Sequence, residues 1–262
     1  MRAGLHYVMG VNMKIVTLNI RCDYKQDGNN NFEFRKSLIF KRLVEEQPDV
    51  IGFQEVLPHV VKWLKENLTD YYIIGCGREK DLTGEQACIA YRKDLFNLIK
   101  METFWLSETP GIPGSRYENQ SECPRTCTVA YLHDLRTAKV VRIYNTHLDH
   151  IGSGARKLGL SQIMKKISQD DFLGNIPFVL VGDFNALPDS EEISVLEEYD
   201  HIYDCTVNVT GTFHDFGRLT QEEKIDYIIA DRTMNCIEAV KWTDCEEGVY
   251  LSDHYPVCVV IE

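Results

Sequence analysis

An α/β fold, with mixed β-sheet layers flanked by helices, is what this sequence predicts, and three observations carry the prediction. Short apolar runs of strand character recur along the whole chain and outnumber the helical patterns. Helical patterns lie between some of those runs, as expected where helices cover sheets. Side chains capable of acid–base or ligand chemistry fall at the C-terminal edge of an apolar run or one step beyond it, where several strands can deliver them to one cleft. The 262 residues approach the upper limit for one hydrophobic core and read most simply as one domain over residues 13–262. Residues 1–12 read as an N-terminal extension, with Met13 an alternative start just before the first strand.

The first strand is expected at Lys14–Ile20, then a helix over Phe34–Gln47 whose Ile39, Phe40, Leu43 and Val44 form one apolar face. Pro48 stops that helix, because the residue before a proline avoids the α region. A short buried strand at Val50–Phe53, a helix at Val56–Leu68 and a strand at Tyr71–Ile74 follow. Further strands are expected at Ala87–Tyr91, Thr128–Leu132, Val140–Asn145, Phe178–Val181, Ile225–Ile229 and Val257–Ile261, with a helix at Ala155–Gln169 between two of them. The span Ser107–Arg125, rich in Gly, Pro and polar residues, reads as a long surface loop.

Composition narrows the function. Lys and Arg number 28 against 40 Asp and Glu, a net charge of −12. Such a surface repels polyanions beyond a Debye length of about 8 Å at physiological salt. Long duplex DNA and anionic membranes are therefore disfavoured partners, whereas a small phosphorylated ligand could enter a local basic pocket. Nine scattered cysteines, several inside apolar runs, read as reduced thiols of a cytoplasmic protein rather than a disulfide framework. Neither a signal-peptide pattern nor a membrane-length apolar run is present.

The chemically capable residues, in order, are Asn19, Glu55, His147, Asp183 with Asn185, Asp226, and Asp253 with His254. Each alone has a bland alternative. Asn19 could cap a turn, Glu55 could be a helix-dipole acid at the start of Val56–Leu68, and His147 could be a hydrogen-bonded structural histidine. Asp183 and Asn185 could form a turn, and Asp226 could be an edge-strand charge. Their joint occurrence, each after an apolar strand, is what chance explains poorly. The segments Thr17-Leu18-Asn19, Gln54-Glu55, Asn145-Thr146-His147-Leu148, Gly182-Asp183-Phe184-Asn185, Ile225-Asp226-Tyr227 and Ser252-Asp253-His254 together resemble the endonuclease/exonuclease/phosphatase superfamily. Gly182–Ser190 and the loop Gly211-Thr212-Phe213-His214 look most like bacterial relatives of its deadenylase/nocturnin branch.

The resemblance implies a four-layer α/β/β/α sandwich, deoxyribonuclease I-like, with the cleft at one end of two packed mixed sheets. It implies a Mg²⁺-dependent phosphoesterase, with Mn²⁺ as a substitute. The metal ion offsets charge on a non-bridging oxygen and needs only one or two carboxylates. Glu55 is the implied ligand, with Asn19 and Asp253 near the same ion. Asp183 would orient or deprotonate the attacking water, and Asn185 would hydrogen-bond the phosphoryl oxygens. His147 and His254 would donate to the phosphate, with Asp226 fixing the ring of His254. Both histidines, as cleft-facing groups, are expected to matter to turnover and little to stability.

Arg21 stands two residues after Asn19, where the apurinic-endonuclease branch carries an aspartate, which favours one metal and weakens a DNA-repair assignment. Arg21, Arg125 and Arg156 are candidate phosphate readers, each with a surface cation as its alternative. His214, between Phe213 and Phe216, is a candidate stacking platform for a base or sugar, or else part of a locally packed loop. The loop Asp149–Gly154 is expected to be a mobile rim of the cleft. A small phosphomonoester or phosphodiester is the expected substrate. A nuclease acting on short single strands is the alternative within the enzymes, and a non-catalytic binding module on the same fold is the alternative of another class.

Overall fold

The computed structural model describes residues 11–170 and 176–262. The expected extension lies outside the described residues except for Val11 and Asn12. The elements, in chain order, are β1 (Met13–Asn19), α1 (Phe32–Glu46), β2 (Val50–Val56), α2 (Pro58–Asn67), β3 (Tyr71–Ile74), β4 (Gln86–Arg92), β5 (Phe96–Trp105), β6 (Thr126–Asp134), β7 (Lys139–His147), α3 (Ser153–Asp170) and β8 (Phe178–Asp183). They continue with α4 (Glu191–Ser194), β9 (Ile202–Asp204), β10 (Asp226–Asp231), β11 (Cys236–Lys241), β12 (Cys245–Glu246), β13 (Val249–Tyr250) and β14 (Val257–Ile261). Two six-stranded sheets result, ordered β11-β14-β1-β2-β4-β3 and β5-β6-β7-β8-β10-β9. Both are mixed: β1 runs parallel to β2 and β7 parallel to β8, while their other partners are antiparallel.

Strand side chains alternate between faces, so each sheet feeds two cores. Ile15 and Val50 of the first sheet meet Val179, Val181 and Ile228 of the second in the central layer. Their neighbours Val16, Leu18, Ile51 and Phe53 point the other way, onto Leu38, Ile39 and Leu43 of α1 and Val60 and Leu64 of α2. On the far side, Phe178 and Leu180 pack on Leu160, Ile163, Met164 and Ile167 of α3. Three cores between four layers make the α/β/β/α sandwich. Each aliphatic side chain fully buried there contributes about 1.5–3 kcal/mol of transfer free energy.

Local chemistry sets the ends of α1. The Asn31 side chain accepts from the N–H of Glu33 at 3.0 Å, and the helix stops at Glu46, with Gln47 left-handed before Pro48. Its inward face differs from the expected one. Val44 is exposed, and the fully buried Arg35 takes a place on the core side. The guanidinium of Arg35 donates to the carbonyls of Ile20 (2.7 Å), Arg21 (3.1 Å), Asn30 (2.6 Å) and Leu251 (2.8 Å). It thereby fixes the turn that follows β1. The expected helix at Val56–Leu68 begins instead at Pro58, because Glu55 and Val56 still belong to β2. The ten-residue strand β5 had no counterpart in the sequence reading. It is an edge strand with a bulge between Leu98 and Lys100, and its residues from Asn97 to Met101 are exposed, so no alternation marks it.

Toward one end of the central layer, apolar contacts give way to a polar clamp. Gln54 Nε2 on β2 donates to Asn145 Oδ1 on β7 (2.7 Å) and to Thr17 Oγ1 on β1 (3.1 Å). Asn145 Nδ2 reaches back across the layer to the carbonyls of Phe53 and Cys88, both at 2.8 Å. The sheets approach closely because position 52 is glycine. A Cβ there would overlap Val181 Cγ2 and stand 2.9 Å from Asn145 Oδ1. Gly52→Ala is accordingly expected to cost about 1–3 kcal/mol, the scale of overpacking a well-packed core. Gly154→Ala, at a helical position with nothing within 4 Å, should be neutral or slightly stabilising. Denaturant unfolding of the two variants checks this, and equal stabilities would contradict it.

Candidate active site

At the clamped end, the strand termini open into a cleft of about 500 Å³. Register brings the chemistry together. Asp183 at the end of β8 is the direct partner of His147 on β7 and of Asp226 on β10. Two carboxylates facing each other on adjacent strands repel. The imidazole of His254 relieves this: its Nδ1 lies 2.9 Å from Asp226 Oδ2 and its Nε2 3.7 Å from Asp183 Oδ2. Burial opposes the charged ring, but Asp226 and Asp183 outweigh it and hold the His254 pKa above the usual histidine value. His147 Nε2 approaches the same Asp183 oxygen at 3.5 Å. This second ring is neutral, since burial and the nearby Arg125 and Arg78 push its pKa well below the usual value.

β2 delivers Glu55 through a bulge. The β2–β4 register shifts between Phe53 and Val56, and Glu55 sits at φ 60°. Its Oε2 accepts from the Cys22 N–H (2.8 Å) and its Oε1 from Asn19 Nδ2 (3.0 Å). Burial opposes its charge, but these donors together with Arg21 and His254 hold the carboxyl below the usual range. Asn19 Nδ2 also donates to Asp183 Oδ2 at 2.9 Å, linking the two carboxylates, while its Oδ1 accepts from the Arg21 N–H. Asp183 is anchored again by the Asn185 N–H (2.9 Å), and Asn185 is itself left-handed at φ 49°. Its side-chain amide donates to the Leu148 carbonyl at 3.1 Å. Asp253 accepts from Ser252 Oγ (3.0 Å) and lies 3.3 Å from Arg21 Nη1.

The donor set suits a hard divalent cation. Among the described residues, the four carboxylates Glu55, Asp183, Asp226 and Asp253 outnumber the cations that act on them, Arg21, Arg35 and His254, and Arg21 is itself shared with Asp27. Burial and carboxylate repulsion, from Asp226 and Glu55 respectively, push Asp183 and Asp253 up despite the opposing His254. That is how carboxylates behave when positive charge is short. Asp183, Asp226 and His254 also have donor atoms within 4.8 Å of one another. The ring of His254 is already ion-paired there, so the oxygens of Glu55 and Asp253 beside Asn19 are the better match to a hard divalent cation.

Of the expected substrate contacts, Arg21 and Arg125 line the cleft. Arg21 is shared between Asp27 (3.0 Å) and Asp253 and lies over the Tyr24 ring at 5.0 Å. Arg156 is not brought there. It pairs with Glu192 at 2.6 Å and donates to the Asp149 carbonyl, bracing the loop after His147 from behind. Nor is His214 a free platform. It is buried, stacked on Tyr255 with centroids 3.9 Å apart, and its Nδ1 accepts from the Gly217 N–H. Phe213 is the cleft-lining ring of that loop, 4.9 Å from His254. Asp149 gathers the N–H groups of Ser121, Ile151 and Gly152 and the Ser121 hydroxyl, so the loop expected to be a mobile rim is tied down. His147 and His254 are both buried, and removing His254 would leave two buried carboxylates face to face. The expectation of little effect on stability therefore does not carry over to His254.

The sequence reading missed Arg78 and Glu85, which line the cleft as a bidentate pair with both contacts at 2.7 Å. It also missed the positioning roles of Gln54, Asn145 and Arg35. The first two lay inside motifs already singled out, which was the available signal. Nothing local marked Arg35 or the Arg78–Glu85 pair.

A profile of the Endonuclease/Exonuclease/phosphatase family matches residues 16–254. Among solved structures, an endonuclease/exonuclease/phosphatase from Bacteroides vulgatus is 33% identical, with 97% of this chain and 99% of that chain covered and a TM-score of 0.90. The mannosyl-6-phosphatase of Bacteroides thetaiotaomicron VPI-5482 is 26% identical, with 95% and 99% covered and a TM-score of 0.87. The human Nocturnin catalytic domain, 17% identical with 96% and 93% covered, shares the fold at a TM-score of 0.77.

Burial, helped by the charge of His254, lowers the His214 pKa to about 4 from its model-peptide 6.5. The folded state therefore favours neutral His214. Its contribution is fully present above pH 6.5 and falls as the pH drops toward about 4. His214→Phe, which keeps an aromatic ring against Tyr255, should show a flatter stability profile across that window. An unchanged slope in pH-dependent unfolding would contradict the buried neutral ring.

Proposed function

The chain belongs to the endonuclease/exonuclease/phosphatase family, and from that premise we propose that it is a Mg²⁺-dependent phosphoesterase acting on a small phosphorylated molecule, monoester or diester. The observation that carries this reading is the meeting of Glu55, Asn19, His147, Asp183 and the Asp226–His254 pair around one oxygen-rich cleft. A phosphate ester resists water because its own oxygens repel the nucleophile and its alkoxide leaves poorly. Glu55, with Asp253 and Asn19 beside it, would hold the divalent ion, which when bound would supply charge neutralisation on the phosphoryl group. Asp183, kept basic by burial and by the neighbouring Asp226, takes the proton of the attacking water. His254, charged and oriented by Asp226, directs its Nε2 toward the phosphoryl oxygens, and neutral His147 donates from the neighbouring strand. The Asn185 backbone holds Asp183 in line.

A phosphatase relative at 26% identity supports a small substrate, as does the net charge of −12. Among the described residues no helix is long and apolar enough to cross a membrane. A cytoplasmic enzyme is our reading of the scattered free cysteines, and weak affinity for duplex DNA that of the acidic net charge.

Hydrolysis of p-nitrophenyl phosphate or its bis ester should need Mg²⁺ or Mn²⁺ and stop with EDTA. Glu55→Gln should raise the Mg²⁺ concentration for half-activation without unfolding the chain; activity that survives chelation would sink the scheme. His254→Ala and Asp226→Asn should each lower kcat by about 10²-fold or more. The double variant should be far from additive, because the pair acts as one unit. Additive losses would mean that the two residues work separately.

A further inference from the structure

We propose that Thr212 is a positioning residue for the Asp226–His254 pair, acting on Asp226 through its hydroxyl and on the segment that carries His254 through its carbonyl. The two members of the pair come from different sheets. Asp226 opens β10 of the second sheet, whereas His254 stands just before β14 of the first. Their 2.9 Å contact, Nδ1 to Oδ2, therefore needs a tie between the sheets at that point. Strand β9 accompanies β10 only over Ile229–Asp231 and stops short of Asp226. Beyond its end, the N–H groups of Ile225 and Asp226 both donate to Thr212 Oγ1, at 3.0 and 3.1 Å. One hydroxyl oxygen, with two lone pairs, takes the place of strand carbonyls there. The Ile225 carbonyl in turn accepts from the Phe184 N–H at 2.8 Å, so the same peptide reaches the residue after Asp183.

The other half of the tie is backbone. The Thr212 carbonyl accepts from the Tyr255 N–H at 2.6 Å, and the Asp253 carbonyl accepts from the N–H groups of His214 (2.9 Å) and Asp215 (3.1 Å). His254 is thus held on both flanks by the segment that begins at Thr212, and Phe213 bridges to it directly. Thr212 is fully buried, so it acts through the pair and not on substrate. The oxygen is the part of the side chain that matters. Buried N–H groups are nearly always paired, and without Oγ1 the peptide between Ile225 and Asp226 must turn to find another acceptor. The Asp226 carboxylate moves with that peptide, and the ring of His254 loses its fixed partner.

Two measurements on the full chain test this, of which only the kinetic one rests on the phosphoesterase reading. Thr212→Val keeps the shape of the side chain and removes the acceptor, whereas Thr212→Ser keeps the oxygen. With Mg²⁺, Thr212→Val should lower kcat on bis-p-nitrophenyl phosphate by about tenfold or more with KM little changed, since misplacing a reacting group by about 1 Å can cost on the order of 10²-fold. Thr212→Ser should recover most of that loss. Added to Asp226→Asn, Thr212→Val should have little further effect, because both act through one pair. Proton NMR of the metal-free chain in EDTA gives a readout independent of turnover. The His254 Nδ1 proton, buried against Asp226, should give a slowly exchanging downfield resonance that His254→Ala removes. That resonance should persist in Thr212→Ser and shift or broaden away in Thr212→Val. A resonance unmoved in Thr212→Val, or losses in Thr212→Val and Asp226→Asn that multiply, would overturn the proposal. If the wild type hydrolyses neither p-nitrophenyl ester with Mg²⁺, the phosphoesterase reading fails and the resonance alone decides the positioning role. Should Thr212→Val fail to fold, Thr212→Ala takes its place, and loss of the resonance in Thr212→Ser overturns the proposal in either case.

Discussion

The contact between Gln54 and Asn145, made across the central layer, is the interaction on which the rest of the cleft depends. Two sheets packed by aliphatic side chains can slide, because apolar contact is non-directional. A buried amide pair cannot, since each donor and acceptor left unmatched costs about 1–3 kcal/mol. Asn145 satisfies the carbonyls of Phe53 and Cys88, which flank the place where β2 loses register with β4. The bulge at Glu55 is therefore held by a residue of the opposite sheet, two positions before His147. Gly52 permits the approach that this needs. Glu55 and Asn19 of the first sheet are thereby held in a fixed relation to His147 and Asp183 of the second.

The cleft concentrates like charge where folding alone would avoid it. The register that pairs Asp183 with Asp226 sets two carboxylates against each other, and a single imidazole keeps the arrangement tolerable. On the β2 side, Glu55 is stabilised by a backbone N–H and an amide rather than by a full counter-charge. Burial, with Arg125 and Arg78 near by, pushes the His147 pKa well below the usual histidine value. Such pKa values, pulled apart by neighbours within one cavity, are how a protein prepares acid and base roles at one pH.

Backbone strain is distributed in the same way. Arg21, Glu55 and Asn185 all have positive φ without being glycine, and all three line the cleft. Each conformation costs on the order of 1–3 kcal/mol and persists only where the surroundings over-determine it. Those surroundings are identifiable. Arg35 holds the Arg21 turn through its carbonyls, the clamp holds Glu55, and Asp183 captures the Asn185 N–H.

How much of this was written in the sequence depends on the range of the interaction concerned. Period-2 and period-3.6 patterning, the Pro48 stop and the apolar runs ending in Asn19, His147 and Asp183 are local, and they were legible. The motif segments likewise pointed to the family and to the four layers. The start of α2 was misread, because whether Glu55 belongs to a strand or a helix is decided by a bulge against β4. Strand β5 was invisible, because an exposed edge strand shows no buried face. Arg156 and His214 looked like ligand contacts by residue type, and only tertiary packing revealed Glu192 behind one and Tyr255 against the other. The partners of Arg35 and the Arg78–Glu85 pair were equally beyond reach. Sequence determines which groups a chain owns and how they alternate; which charges meet, and which are left without a partner, is settled only when distant strands are brought within a few ångströms.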